Sequence, residues 1–166
     1  MSAFGPGIRD IVQLVRTHST NAAEDVRTSL DSVACHWWIV GTDAHAENYA
    51  LLIGVQGRVR LAPLYDLASV FPDSQIDIQR VKLSMKLGGG YRFRNIQLRH
   101  SRGQAEELAI DPDELVQRVG NLANQMADRV PYFEHSLAEE GLVLTLIRRL
   151  AARLTAREAC RKILGG

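Results

Sequence analysis

The strongest constraint on the fold is an apolar stripe that runs through residues 22–40. Its members recur at alternating gaps of four and three residues: Val26, Leu30, Val33, Trp37 and Val40. That spacing places side chains on one face of an α-helix. Asn21, with Glu24 three positions further on, is typical of a helix start with a reciprocal cap. The stripe therefore predicts a long helix with one face in the core, and the chain leaves its end directly into a polar segment.

That segment, GTDAHAENYALLI, collects four polar side chains within six positions: Asp43, His45, Glu47 and Asn48. Two short apolar runs follow, Tyr49–Val55 and Arg58–Ala62, separated by Gln56-Gly57. This pattern is typical of a β-hairpin with a tight turn. Asp66 comes just after it, in LAPLYDLAS. Because the two ends of a hairpin lie side by side, we expect Asp66 to return beside Asp43 and Asn48.

The remainder of the chain is predicted to be mostly helical. Helix-period apolar residues mark an early helix (Ile8, Ile11, Val12, Val15), one that begins after Asp111 and Pro112 and ends or kinks at Pro131, and another over Leu142–Leu154. Thr155 and Glu158 predict the start of a last helix. Residues 81–87 alternate like a strand, and Gly88-Gly89-Gly90 breaks it as a turn. The predicted fold class is mainly α (α+β), with helices around a small hairpin, in a single domain over residues 1–166.

Composition excludes several classes of protein. Hydrophobic residues make up 46% of the chain and charged residues 23%, which is typical of a folded globular protein. The net charge of +1 gives no overall field that requires nucleic acid or a membrane surface. No apolar run reaches the roughly 20 residues that a membrane span needs, and the first residues lack a signal peptide pattern. Cys35 and Cys160 do not form a CxxC pair. We therefore expect a cytoplasmic protein with no membrane partner.

Three kinds of chemistry could use the polar segment. A metal-dependent hydrolase could use Asp43, His45 and Glu47, but zinc spacing and an HExxH pattern are missing. Nucleophilic hydrolysis lacks a GxSxG elbow. Phosphoryl transfer needs a carboxylate at the acceptor hydroxyl and oxygen ligands for Mg²⁺. The kinase pattern HRDxxxxN places Asn five positions after Asp, as Asn48 follows Asp43. Asn48 and Asp66 would be a sufficient protein share for Mg²⁺.

Taken together, GTDAHAENYALLI, LAPLYDLASVFP and KLSMKLGGGY resemble the C-terminal lobe of HipA-type Ser/Thr kinases, the toxins of bacterial toxin–antitoxin pairs. The resemblance implies Asp43 as the catalytic carboxylate, His45 as a supporter of its loop, and Asn48 and Asp66 as the residues that hold Mg²⁺ and, through it, ATP. It also implies a protein Ser/Thr substrate and an antitoxin-like helix-turn-helix partner.

The sequence departs from the family in two ways. Glu47 stands where the family usually has Lys, and a negative charge facing transferred phosphate would be unfavourable. The N-terminal ATP-binding lobe is not found in the sequence, and Gly88–Gly90 does not fit a phosphate-binding loop. We therefore expect a fragment or one subunit of a split kinase. The alternative is a catalytically silent module that docks on an antitoxin-like DNA-binding partner. Two groups of basic residues are expected to be solvated: Lys82 and Lys86, and Arg148, Arg149, Arg153, Arg157 and Arg161.

Overall fold

The computed structural model describes residues 5–140 and 144–155 of the chain. The described part has five α-helices: α1 Ile8–His18, α2 Ala22–Ile39, α3 Leu98–Glu107, α4 Pro112–Glu139 and α5 Leu144–Thr155. It also has four short strands: β1 Leu51–Ile53, β2 Val59–Leu61, β3 Lys82–Leu87 and β4 Gly90–Arg92. They form two separate antiparallel ribbons, β1 with β2 and β3 with β4. The predicted fold class, mainly α with a small hairpin, is confirmed.

Helix α2 is the centre of the molecule. It packs against α1 on one side and α4 on another, and β2 also contacts it. All five residues of the predicted stripe are buried, and they join the same core cluster as Ile8, Ile11, Val12 and Val15 of α1. Asn21 does stand at the N-cap of α2, but its side chain donates to the Glu24 carboxylate instead of capping a helix N–H. The predicted position of the N-cap is therefore confirmed, and the predicted hydrogen bonds of the cap were wrong.

The β1–β2 hairpin lies where the sequence predicted it. Leu51 pairs with Leu61 and Ile53 with Val59, so the strands are shorter than the apolar runs that mark them. Gln56 and Gly57 both adopt positive φ, at 60° and 73°, which is the conformation that a tight reversal of the chain requires. The hairpin therefore reverses the direction of the chain and returns it towards the loop of Asp43 and Asn48, just before Asp66.

The middle of the chain is more regular than the sequence predicted. Gly88 and Gly89, at φ 55° and 86°, form the turn between β3 and β4. Helix α3, which sequence reasoning missed, follows at residues 98–107. Its sequence, LRHSRGQAEE, has few apolar residues, so it offers little of the periodic signal on which helix prediction depends.

Helix α4 corrects a further prediction. Pro131 lies inside it, and the helix continues to Glu139. A proline inside a helix removes one main-chain hydrogen bond, at a cost of about 3 kcal/mol or more. The packing of α4 against α2, α3 and α5 provides the stabilisation that outweighs this local cost. Thr155 is the last described residue of α5, whereas its predicted partner Glu158 lies outside the described residues, as do Arg157, Cys160 and Arg161.

Candidate active site

The loop that joins α2 to β1, residues 40–50, carries the predicted catalytic residues. It begins at Val40, which is fully buried and has φ 55°, a left-handed conformation that ends the helix. The N–H of Gly41 then donates to the His36 carbonyl at 2.7 Å. At its far end the Tyr49 hydroxyl donates to Ser32 Oγ at 2.9 Å. Both ends of the loop are thus tied to α2.

Asn48 closes the loop on itself. Its side chain is buried, and its Nδ2 atom donates to the main-chain carbonyl of Asp43 at 2.9 Å. Because the amide nitrogen is used in this way, the orientation of the side chain is fixed and the amide oxygen is the atom that remains for another partner. The predicted pair of Asp43 and Asn48 is therefore in direct contact.

His45 lies beside Asp43. Its Nε2 atom is 3.3 Å from the Asp43 carboxylate, while its Nδ1 atom is 4.0 Å from the carboxylate of Glu47 and has no hydrogen-bond partner among the described residues. Asp43 itself is 71% exposed, so its carboxylate can reach a molecule in solution. The imidazole therefore contacts the carboxylate of Asp43, and the supporting role predicted for His45 stays a prediction.

The Glu47 side chain points into solvent and is 92% exposed. Its main chain has a different role, because the Tyr65 hydroxyl donates to the Glu47 carbonyl at 2.7 Å. Tyr65 immediately precedes Asp66, so this bond attaches the segment after the hairpin to the Asp43–Asn48 loop.

A second attachment lies just beyond Asp66. Ser69 Oγ donates to the Ile39 carbonyl at 2.5 Å, and the Val70 N–H to the Val40 carbonyl at 3.4 Å. Asp66 is therefore held between one contact with the loop and two with the end of α2. It is exposed, and its φ of 55° lies in the left-handed region. A non-glycine residue held in that region is a reason to suspect a functional role.

His36 lies underneath this junction. Burial lowers the pKa of its imidazole, while the Ser32 main chain, the Asp66 main chain and the Asp66 carboxylate oppose that change. Nδ1 is 2.9 Å from the Ser32 carbonyl, and Nε2 is buried without a full hydrogen bond. Asp66 therefore lies near the imidazole ring of His36. Gly41 is required here, since a Cβ on it would lie 2.6 Å from His36 Cδ2 and 3.1 Å from the Ala68 carbonyl.

The sequence predicted Asp43, His45, Asn48 and Asp66 as candidate site residues, but it did not indicate the residues that hold their segments together. The hydroxyls of Tyr65, Ser69 and Ser84 each donate to a main-chain carbonyl. The carbonyl that accepts from Ser84 is that of Thr42. A hydroxyl that meets a distant carbonyl leaves no pattern in a single sequence. Ser84 gave the nearest signal of such a contact, because it is a half-buried polar residue in strand β3, between the buried side chains of Leu83 and Met85.

The described residues contain no group of three or more His, Cys, Asp or Glu side chains that could hold a metal ion. This gives no support to a hydrolase built on Asp43, His45 and Glu47. The magnesium site predicted at Asn48 and Asp66 would be of a different kind, because it would use one amide and one carboxylate oxygen. Both are the hard oxygen ligands that Mg²⁺ prefers, with water and phosphate completing its shell.

The basic residues outside the loop have modest contacts. Lys86 Nζ lies 5.3 Å from the centre of the Tyr91 ring, and Arg148 Nε lies 3.8 Å from the Glu134 carboxylate. In the described part of the chain, no helix has the length and apolar character needed to cross a membrane.

The structure thus combines a helical lobe with the Asp-x₄-Asn spacing of Asp43 and Asn48 and with the later Asp66. Comparison with known families agrees: residues 2–130 match the HipA-like C-terminal domain. The chain belongs to that family.

Two relatives define its place further. The chain is 29% identical over 131 residues, 78% of its length, to a protein of Sinorhizobium fredii named "Putative kinase Y4mE". Its fold is similar to that of HipA from Shewanella oneidensis MR-1, solved with HipB and its operator DNA, with a TM-score of 0.76 over 97% of this chain and 18% identity. The chain spans 30% of the length of the first protein and 36% of the second.

Proposed function

We propose that the chain is the Mg²⁺- and substrate-binding lobe of a HipA-like protein Ser/Thr kinase, the toxin component of a toxin–antitoxin pair. The observation that carries the proposal is the attachment of Asp66 to the Asp43–Asn48 loop through Tyr65. This bond connects the segment of Asp66 to the loop that contains Asp43 and Asn48, the three residues to which we assign the substrate and metal roles. Membership of the HipA-like family and the likeness to Y4mE support the same activity.

Each residue has a role that follows from its environment. The exposed carboxylate of Asp43 accepts a hydrogen bond from the Ser or Thr hydroxyl of the substrate and orients it for attack. His45, 3.3 Å away, keeps that carboxylate in place. The amide oxygen of Asn48 and the carboxylate of Asp66 would hold Mg²⁺. When bound, Mg²⁺ would supply positive charge that stabilises the phosphate groups of ATP during transfer.

The exposed position of Glu47 removes the main objection from the sequence. A carboxylate that faced the transferred phosphate would oppose its charge. Here the carboxylate is in solvent and the carbonyl of the same residue anchors Tyr65.

The test is ATP- and Mg²⁺-dependent phosphorylation of protein Ser or Thr, with the polypeptide encoded directly upstream supplied as the second component. Asp43→Ala should lower the rate by about 10²–10⁴-fold, the usual contribution of a positioned acid–base group. Asp66→Ala should abolish the dependence on Mg²⁺ together with the activity. Asp73→Ala is the matched control, since Asp73 is an exposed carboxylate of the same segment that accepts from the Gln75 N–H. Full activity of folded Asp43→Ala or Asp66→Ala protein would overturn the proposal.

A second candidate is a silent module that docks on an antitoxin-like DNA-binding protein. It is favoured by the structural neighbour, which was solved with HipB and operator DNA. Co-purification with a neighbouring helix-turn-helix protein, together with no binding of Mg²⁺-ATP by the completed assembly in calorimetry, would select this candidate.

A further inference from the structure

The two edges of the β1–β2 hairpin have different surroundings. The Ala62 N–H donates to the Ala50 carbonyl at 2.8 Å, and the Gly54 N–H to the Arg58 carbonyl at 2.7 Å. Since inward and outward main-chain groups alternate along an antiparallel strand, residues 50, 52 and 54 face β2. Leu51 and Ile53 therefore direct their N–H and carbonyl groups outward.

The outer edge of β2 is covered. The Val59 carbonyl accepts from the Thr20 N–H at 2.8 Å and from its hydroxyl at 2.9 Å. The Leu61 N–H donates to the buried Asp25 carboxylate at 2.8 Å. On β1 the corresponding groups of Leu51 and Ile53 bond to none of the residues that the structure describes.

The open edge is also apolar. Leu52, Ile53 and Val55 are 54%, 82% and 81% exposed. Beside them a groove of about 350 Å³ runs between α1 and β1, and its lining is mostly apolar: Ile11, Leu14, Val15, Tyr49, Leu51 and Leu61. An unpaired strand with exposed apolar side chains is a template for another strand, and proteins normally cover or blunt such an edge.

We propose that this surface, the β1 edge of Leu51–Ile53 with Val55 and the adjoining groove, is the docking site for an extended apolar strand of the polypeptide that completes the kinase. The proposal rests on the proposed function, because the occupant belongs to the same enzyme. Both matched proteins extend far beyond the part that this chain covers, which is 30% of one and 36% of the other. That additional polypeptide needs a contact surface on a lobe of this kind.

The chemistry of the surface selects an extended strand. Outward N–H and carbonyl groups bind the main chain of an added strand, and a neighbouring apolar groove accepts alternate side chains. The position also fits, since Tyr49 and Ala50 line the groove directly after the Asp43–Asn48 loop. A strand seated there would fix the incoming polypeptide beside the site that it has to complete.

The experiment measures binding of the polypeptide encoded directly upstream, produced as a separate chain, by calorimetry without ATP. Ile53→Pro removes an outward N–H while leaving the bonds between β1 and β2 in place. Ile53→Lys places a charge on the apolar edge and serves as the second variant if Ile53→Pro fails to fold. Leu146→Lys is the matched control, because Leu146 is an exposed leucine on α5 (56%). Hydrogen exchange of the Leu51 and Ile53 amides is followed in the same mixtures.

We expect each folded Ile53 variant to bind at least about tenfold more weakly, the effect of losing one main-chain bond or its apolar contact. The control should bind like the unchanged chain, and complex formation should slow exchange of the Leu51 and Ile53 amides. Equal affinity of the Ile53 variants, self-association through this edge, or no complex at all would overturn the proposal. Because ATP is left out, the docking result and the Asp43→Ala phosphorylation assay can fail independently.

Discussion

Replacing Asp25 should destabilise the protein more than any other single loss of charge in the described part. Its buried carboxylate accepts from the Ser19 hydroxyl at 2.6 Å, the Leu61 N–H at 2.8 Å and the Arg60 guanidinium at 2.9–3.2 Å. Asp25→Ala leaves the buried Leu61 N–H without its acceptor. Leaving a buried N–H without its acceptor costs about 1–3 kcal/mol. In a chain of this size that corresponds to a fall in Tm of about 2–12 °C.

Urea unfolding at pH 7, followed by circular dichroism, measures the change in the free energy of unfolding. Arg60→Met is the informative control. The Arg60 side chain is 43% exposed, so its loss opens one side of the Asp25 carboxylate to solvent while the Ser19 and Leu61 donors remain. The destabilisation should therefore be smaller than that of Asp25→Ala. A cost below about 1 kcal/mol for Asp25→Ala, or a larger effect of Arg60→Met, would refute the view that Asp25 attaches the hairpin to α2.

Three further predictions concern acid, a glycine and the loop. Burial alone raises the pKa of Asp25, but its hydrogen bonds outweigh this and lower the pKa below 3.8. The contribution of Asp25 to stability is therefore complete above pH 3.8 and is lost as the pH falls through the lowered pKa. Unfolding curves of Asp25→Ala, which lacks this carboxylate, should not show that loss of stability in acid. Gly41→Ala should cost about 1–3 kcal/mol and disturb Asp66, because its Cβ would collide with His36 and the Ala68 carbonyl; wild-type thermal stability would contradict this. Glu47→Lys should leave the melting temperature within about 2 °C and should not reduce phosphorylation, since the side chain is in solvent; a fall in activity would place that side chain in the site.

Helices α2, α3 and α4 show how much of the fold can be predicted from the sequence. Val26, Leu30 and Trp37 recur at helical spacing because they fill one core, so the period of the sequence and the fold have a common physical cause. The same reasoning overlooked α3, whose polar sequence is held in place by its packing on α4 and β3. It also predicted that a helix ends or kinks at Pro131, whereas α4 continues through that residue to Glu139 because tertiary contacts outweigh a local preference.

In the candidate site, too, some features could be predicted from the sequence and others could not. Asp43, Asn48 and Asp66 could be selected because their spacing and the intervening hairpin are visible in the sequence. The contacts that join them could not, since the Tyr65, Ser69 and Ser84 hydroxyls all bond to main-chain carbonyls of Glu47, Ile39 and Thr42. A carbonyl is present at every position of the chain, so nothing in the sequence distinguishes the one that is used.

This use of main-chain acceptors explains how the structure accommodates glutamate at position 47, where the resemblance implied lysine. Tyr65 requires a carbonyl at that position, and glutamate supplies it as well as lysine would. The side chain extends into solvent and takes no part in joining the two segments. The frame that holds Asp66 beside the loop is therefore independent of the charge at position 47. A change of charge there can alter the electrostatics around the loop without moving Asp43, Asn48 or Asp66.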